Sequence, residues 1–514
     1  MSKGVFTVLS SNIGKQDQFL TSTDVLRKRL DKIWRDNMLT GNFESKYEAK
    51  ASMADVQRTH NLFVKNIFKP HVALAYEYFK TKKEGSGIVG ILEGTDRVKF
   101  SLKGNNGNFL NDMVVHVVFE DIGNPNAEIS SYPKYRYCEF PGLRLFEKVM
   151  FTVDNLEIDS YNTEDTVLYT KVKVSASRTP GWNDMLGQEN ESTGEYYRSD
   201  LSINELYKFR DGAQTPKPYQ KGLELWVPLI FDFNEYVGRS LHNGLINTDQ
   251  KYIEIDISPM NKIMKSVDAS GATIPGGIGN FRIKSMSLYS RNVYLPPEVN
   301  DVFVDRSDLQ LIRVKRQHRK IITEASGEIE LRQLKYPIEI MYYGFRPVEN
   351  GENSNPWSFD DWHNMAYKTR KNVPITALIQ NSKVTPAMQL VRRCVTYADT
   401  TAPMELIGFS AHGNILYPLM PEAFFNNYLP YIMPGLTTPG EKGIYIVPWC
   451  YYPILYDPSG HINNSTAREL FISFKRNETI ANQVKNPTVE MFTSAQCINF
   501  LIYDKTSIRL KYVT

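Results

Sequence analysis

From His71 onward the chain is written in short apolar runs, some alternating with polar residues and some continuous, and this pattern predicts β-strands. In the first half the runs are HVALAYEYF (71–79), DMVVHVVF (112–119), LFEKVMFTVDNLEI (145–158), TVLYTKVKV (166–174), LELWVPLIFDF (223–233), KYIEIDI (251–257) and FRIKSMSLYSRNVYL (281–295). Seven or eight strands make one sandwich. A Pro-Pro step at Pro296 and Pro297 interrupts the flow, and a second series follows: VFVD (302–305), LQLIRVKR (309–316), EIELRQLKYPIEIMYYGFRP (328–347), PITALIQ (374–380), MELIGFSAHG (404–413), GIYIVPWCYYPILY (443–456) and ELFISF (469–474). The last seventeen residues, INFLIYDKTSIRLKYVT, are two further strand-like runs around a turn, so the terminus is expected to be built into a sheet. Two β units of about equal size are therefore predicted, although no residue-level repeat relates them.

Individual runs carry more detail. In LELWVPLIFDFNE, Leu225, Val227, Leu229, Phe231 and Phe233 fall on one strand face, and Glu224, Trp226 and Ile230 on the other. A strand apolar on both faces is expected between two sheets or at a subunit interface, and Pro228, which has no N–H, points to an edge or a bulge. In ELFISF, Leu470, Ile472 and Phe474 alternate with Glu469, Phe471 and Ser473. One helix is marked near the start: Thr23 is a candidate N-cap, Asp24 lies in the first turn, and Val25, Leu26, Leu30, Ile33 and Trp34 follow at helical spacing opposite Arg27, Lys28, Asp31 and Lys32. Such a helix packs either on its own domain or on a partner. Residues 36–60 are polar and are expected to form an arm. The polar stretch 175–218 exceeds an ordinary connection and is expected to be an exposed loop or tower.

Composition changes the picture mainly by exclusion. Apolar residues make up 42% and aromatics 12%, with 30 Tyr and 26 Phe, enough for large packed cores and too many for disorder. A formal charge of +3 on 514 residues provides no whole-molecule field of the kind a nucleic-acid-coating protein needs, so direct genome packaging is not expected. The N-terminal MSKGVFTVLSSNIGKQ is too short and polar in its apolar stretch for a signal peptide and lacks Gly at position 2 for myristoylation. The longest uncharged stretch, 423–440, contains three Pro and does not read as a membrane-spanning helix. A reducing, cytosol-like compartment is expected, with Cys138, Cys394, Cys450 and Cys497 as buried thiols, since they are scattered without a CxxC pair. The sequons at Asn190, Asn463, Asn464 and Asn477 are then chance matches.

Candidate chemistry is sparse. GSGIVG (85–90) matches GxGxxG but lacks the preceding apolar strand and following helix of a dinucleotide site, and GGIG (276–279) reads as a turn. GFSAHG (408–413) approaches a nucleophile elbow, but His412 stands where that motif needs Gly and no helix follows; His412 and His461 are expected to bond locally at turns. The eight His show no HxH or HExxH spacing, so no metal site is expected. DDWH (360–363) reads as a solvent-facing turn with a packed Trp362. RVKRQHRK (313–320) is the one concentrated basic run. Alternation sends Arg313, Lys315 and Arg319 one way and Arg316, His318 and Lys320 the other, which suggests an exposed strand end or, more sharply, a surface facing an acidic neighbour or anionic lipid.

The stretches YCEFPGLRLFEKVMFTVDNLEIDSY (137–161), QTPKPYQKGLELWVPLIFDFNE (214–235), PEVNDVFV (297–304), KYPIEIMYYGFRP (335–347), DWH (361–363), SAHG (410–413) and PSGHINNSTARELFISF (458–474), in this order, resemble the major capsid proteins of nucleocytoplasmic large DNA viruses, in the branch of African swine fever virus and faustovirus. The resemblance implies an all-β double jelly roll: an arm and helix over 1–60, a first eight-stranded jelly roll over 61–296 and a second over 297–514. It implies a structural protein, not an enzyme, with no cofactor, forming homotrimeric pseudo-hexameric capsomers that tile an icosahedral virion shell assembled in the host cytoplasm. Its implied partners are further copies of itself, minor capsid and vertex proteins, and the inner viral membrane through neighbours. The family-motif residues are Trp226, Pro228, Asn234, Pro337, His412, Gly413, Pro458, Gly460, His461, Asn463 and Arg468, all in structural roles. Two other readings stay open from sequence: a transient viral assembly scaffold, and a jelly-roll carbohydrate-binding module, since the fold hosts many functions.

Overall fold

The computed structural model describes residues 23–40 and 71–512, apart from 189–213, 349–361, 375–391, 465–468, 478–487, 504–507 and a number of shorter positions. The N-terminal unit contributes helix α1 (Thr23–Thr40), in which Thr23, expected as the N-cap, is the first helical residue. Its Leu30, Ile33 and Trp34 are half-buried, while Arg27, Lys28, Asp31 and Lys32 are exposed, as the helical spacing requires. Residues 41–60 of the expected arm lie outside the described residues.

The second unit begins at Leu74 and is built from antiparallel sheets. Its first half carries β1 (Ala75–Lys82), β2 (Asp96–Ser101), β3 (Phe109–Phe119), β4 (Phe146–Val153), β5 (Leu156–Asn162), β6 (Glu224–Pro228), β7 (Leu241–His242), β8 (Lys251–Ile257) and β9 (Ile283–Tyr294). One sheet runs β1-β9-β3-β7, with β6 also on β3; the facing sheet runs β2-β8-β4-β5. Period-two patterning explains the layering. On β8, Ile253, Ile255 and Ile257 are buried, whereas the alternate Glu254 and Asp256 pair with Lys99 at 2.9 Å and Arg97 at 2.6 Å on the neighbouring β2.

The second half carries β10 (Leu309–Ile322), β11 (Ser326–Glu330), β12 (Pro337–Pro347), β13 (Met404–Ala411), β14 (Asn414–Pro421), β15 (Ile444–Pro448), β16 (Leu470–Arg476), β17 (Val489–Tyr503) and β18 (Ile508–Leu510). Its sheets run β10-β17-β12-β15 and β11-β16-β13-β14, and β18 adds the chain terminus to β17. No described strand pairs across the two halves. Among the strands named, and with the terminal β18 left aside, the strand orders correspond: first, last and third strands adjoin in one sheet of each half, and second, penultimate, fourth and fifth in the other. Both fourth-to-fifth hairpins also close with two left-handed residues, Asp154-Asn155 (φ 49° and 63°) and His412-Gly413 (φ 52° and 73°). That conformation matches the twist of the flanking strands and favours Asn, Asp and Gly. The absent sequence repeat is thus a repeat of topology.

Several expected elements differ. The run 166–174 is not a strand: it lies in helix α2 (Thr163–Lys173) up to Lys173, with Val174 as the helix's C-cap. Its β-branched residues suggested period two, yet Asn162 and Asp165 form a reciprocal capping box, and Val167, Leu168 and Val172 reach the core at helical spacing. Within the expected loop 175–218, helix α3 (Thr179–Met185) buries Trp182, and 189–213 lies outside the described residues. VFVD is likewise not a strand: α4 (Pro297–Arg306) starts with Pro at its first turn, and the Pro296 carbonyl accepts from the N–H groups of Val299 and Asn300 at 3.0 Å. The run 223–233 gives only the short edge strand β6, which stops at Pro228; a helical turn follows over Asp232–Glu235. PITALIQ falls, beyond Pro374, outside the described residues. Because the capping box starts α2, Asn162→Ala should lower stability by about 1 kcal/mol, measured by urea denaturation, without altering the sheet signal in circular dichroism.

Candidate functional site

The edge strand β10 of the second half lies beside the edge strand β5 of the first, yet the two make no ladder. Side chains answer the outward N–H groups of β10 instead. The Arg313 N–H donates to Asp232 Oδ2 at 3.2 Å, the Lys315 N–H donates to Asp159 Oδ1 at 2.8 Å, and Gln317 Nε2 donates to the Ser160 carbonyl at 3.0 Å and Asp165 Oδ2 at 2.9 Å. The alternate positions 313, 315 and 317 thus each present a donor to the first half. The basic run lies within β10 and divides: Arg313 is buried with acidic partners from the same chain, whereas Arg319 and Lys320, near the end of the strand, are exposed as expected.

Charge continues through this seam. Arg313 makes a two-pronged pair with Glu339 at 2.6 and 3.1 Å, each side chain only 1% exposed, and Arg313 also donates to the carbonyls of Leu455 and Tyr456. Arg239 pairs with Asp232 at 2.7 Å and donates across to the carbonyls of Pro453, Ile454 and Leu455. Arg346 bridges Glu164 on α2 at 3.1 Å and Glu490 on β17 at 3.0 Å, while its guanidinium covers the fully buried Trp362 ring; Arg319 also bonds Glu490. Lys173 pairs with Glu235 at 2.7 Å, and Thr437 donates its N–H to the Val172 carbonyl at 2.7 Å. Fork-shaped Arg partners suit such sites, because each removes two carboxylate lone pairs from an unsatisfied state.

Burial governs the carboxyl groups. It pushes Asp159 up to about 7 against the lowering charges of Lys315 and Arg316, and it also raises Asp165 and Asp232. For Glu235 burial acts upward as well, but the charges of Lys173 and Lys315 outweigh it and leave the group below its usual range. A cavity of about 20 Å³ at the seam, bordered by Asp165, Asp232, Glu235, Arg313, Lys315 and Tyr342, has room for a water and none for a substrate. Among the described residues no cluster of His, Cys, Asp and Glu could hold a metal ion.

The expected site residues lie away from this seam. Trp226 packs on the outer face of β6, with ring centroids 4.2 Å from His116 and 5.4 Å from Tyr289, and Pro228 ends that edge strand opposite Val114. Asn234 donates to the Asn111 carbonyl, and Asn111 returns a bond to the Phe233 carbonyl at 3.0 Å. Pro337 opens β12 opposite Asn463, the one pair among these residues that the fold aligns in register. His412 and Gly413 form the β13–β14 turn. Pro458, Gly460 (φ 139°) and His461 shape the loop before Ile462–Asn463, and Arg468 lies outside the described residues. Cys138, Cys450 and Cys497 are buried free thiols, and the sequon residue Asn464 is buried, its side chain donating to the Leu334 carbonyl. The seam residues missed from sequence did leave one signal: Glu339, Arg346 and Glu490 are charges inside runs otherwise written as buried strand.

Two outcomes follow from the seam. Arg313→Met should cost about 3–5 kcal/mol by urea denaturation, because Glu339 is left buried and charged, and adding Glu339→Gln should recover part of that loss. Asp159 binds a proton in the folded protein that the unfolded chain has released. Its contribution to stability is therefore full below about pH 4 and is lost as pH rises towards about 7. Asp159→Asn should accordingly raise the unfolding temperature relative to the parent protein more at pH 8 than at pH 5; an unchanged difference would remove Asp159 from the account.

No family model matches the chain. It is 24% identical over 663 aligned positions, covering all of both sequences, to the hexon protein p72 of African swine fever virus isolate Tick/Malawi/Lil 20-1/1983, and equally so to the major capsid protein of isolate Warthog/Namibia/Wart80/1980. Among solved structures it is similar to the faustovirus major capsid protein, with a TM-score of 0.75 and 22% identity over 96% of this chain and all of that one. It is also similar to PBCV-1 VP54, with a TM-score of 0.61 and 15% identity over 88% of this chain and all of that one. Two jelly rolls of matching strand order and end-to-end likeness to these proteins converge: the chain has the double jelly-roll fold and is related along its whole length to the major capsid proteins of African swine fever virus.

Proposed function

We propose that this protein builds a viral capsid shell by self-assembly, as homotrimers of pseudo-hexagonal outline that tile an icosahedral lattice. The observation that carries the reading is the buried ionic seam, which holds two jelly rolls of the same topology in one fixed relation within each copy. Three such copies supply six similar blocks, and closed rings of identical chains are a common way to use a fixed repeated unit. We place the domain boundary at Pro296–Pro297, with 61–296 as the first jelly roll, 297–514 as the second and 1–60 as an arm. Trp226, Pro228, Asn234, Pro337, His412, Gly413, Pro458, Gly460, His461, Asn463 and Arg468 then act as turn, edge and packing positions. Further contacts go to minor capsid and vertex proteins and, through these, to an inner membrane, with assembly in the host cytoplasm. The modest net charge of +3 supports a role that does not include coating nucleic acid.

Light scattering on the purified protein tests this reading. A closed trimer of the 59.0 kDa chain should weigh about 177 kDa and hold that mass on dilution, whereas a monomer at every concentration would overturn it.

A further inference from the structure

Because the two jelly rolls share one strand order, each strand of the first has a counterpart in the second. The seam inside the chain uses β10 of the second half and β5 of the first. Their counterparts are β1 and β14, and both are edge strands with no strand beyond them among the described residues. Each exposes apolar side chains: Tyr76 (63%) and Tyr78 (51%) on β1, and Ile415 (73%), Leu416 (39%) and Leu419 (54%) on β14. Long, apolar, uncovered edges are a hazard that folded proteins remove or use.

The elements next to these edges correspond too. Helix α2 follows β5, buries Val167, Leu168 and Val172, and sends Glu164 across the seam to Arg346. The helical segment 424–432 follows β14 but leaves Tyr428 (53%), Tyr431 (81%) and Ile432 (45%) in solvent. Glu422, between β14 and that segment, has a buried carboxylate oxygen with no partner, while Lys80 and Lys82 stand exposed on β1. Pro418 and Pro421 remove two N–H groups from β14, so a continuous ladder is excluded there, as it is absent between β10 and β5.

Resting on the trimer reading above, we propose that β1 of one copy seats against β14 and segment 424–432 of a second copy, repeating between molecules the contact that β10 makes with β5 and α2 within one. One face lies on the first jelly roll and the other on the second, so the contact is heterologous and closes when a ring is complete. Tyr76 and Tyr78 meet Ile415, Leu416 and Leu419.

Light scattering on Tyr78→Arg and on Ile415→Arg, each made in the full chain, is the test. Each variant should fall from about 177 kDa to about 59.0 kDa with an unchanged unfolding temperature. An equimolar mixture should form a dimer of about 118 kDa, because one intact β1 face meets one intact β14 face. If the parent protein is a trimer and either folded variant remains one, the proposal is wrong while the trimer reading stands. If the parent protein is a monomer, the reading beneath both falls. Should either variant fail to fold, hydrogen exchange on the parent trimer decides: slow amides on the outer edges of 75–82 and 414–421 support the contact, and fast ones overturn it.

Discussion

An edge strand cannot be buried while its outward N–H groups go unanswered, and the way β10 meets this requirement organises the molecule. A ladder to β5 would have fused the two jelly rolls into one continuous sheet. Carboxylates take its place, from Asp159 and Asp232, with Ser160 and Asp165 receiving Gln317. Once acids stand at those points, bases must stand beside them. Arg239, Arg313 and Lys315 do so, and the paired Glu339 and the bridged Glu490 follow on the next strands. Ion pairs so deeply buried contribute little net stability, since removing the charges from water costs about as much as their attraction returns. What they contribute is relative position: a rotated or shifted second jelly roll would strand several buried charges at once.

The strands were legible in sequence wherever one face meets a core and the other meets water. KYIEIDI and ELFISF alternate because Ile253 and Ile255, or Ile472 and Phe474, are buried while their neighbours are not. A separate rule, that proline has no N–H to give a ladder, predicted an edge at Pro228, and β6 ends there. Alternation failed for α2 and α4 because it counts apolar residues and overlooks caps. Asn162 with Asp165, and Pro296 with Pro297, set the backbone before any periodicity could act.

The seam was hidden for a different reason. Alternation assigns a charged residue to the solvent face, and for RVKRQHRK it sorted the residues into two faces without revealing that one of them meets the other jelly roll. Nothing local distinguishes Arg313, 3% exposed, from a surface arginine. The distinction lies in Glu339 and Asp232, which are 26 and 81 positions away. Charges placed inside otherwise apolar strands, as in PIEIMYYGFRP, are the trace such a network leaves in a sequence.

Within the proposed ring, the same topological contact occurs with two chemistries, ionic within the chain and largely apolar between chains, and tethering accounts for the difference. Helix α4 and its flanks join the two jelly rolls covalently, so closing the inner seam orders little that is not already confined. That contact can carry desolvated charge and serve geometry alone. Separate copies must also offset several kcal/mol of lost translational and rotational freedom, which buried ion pairs near break-even cannot supply. Tyr, Ile and Leu side chains can, because apolar area leaves water with a net gain and makes few demands on exact register. A fixed inner angle set by charge, repeated by an adaptable apolar outer contact, is a combination that lets identical chains close on themselves.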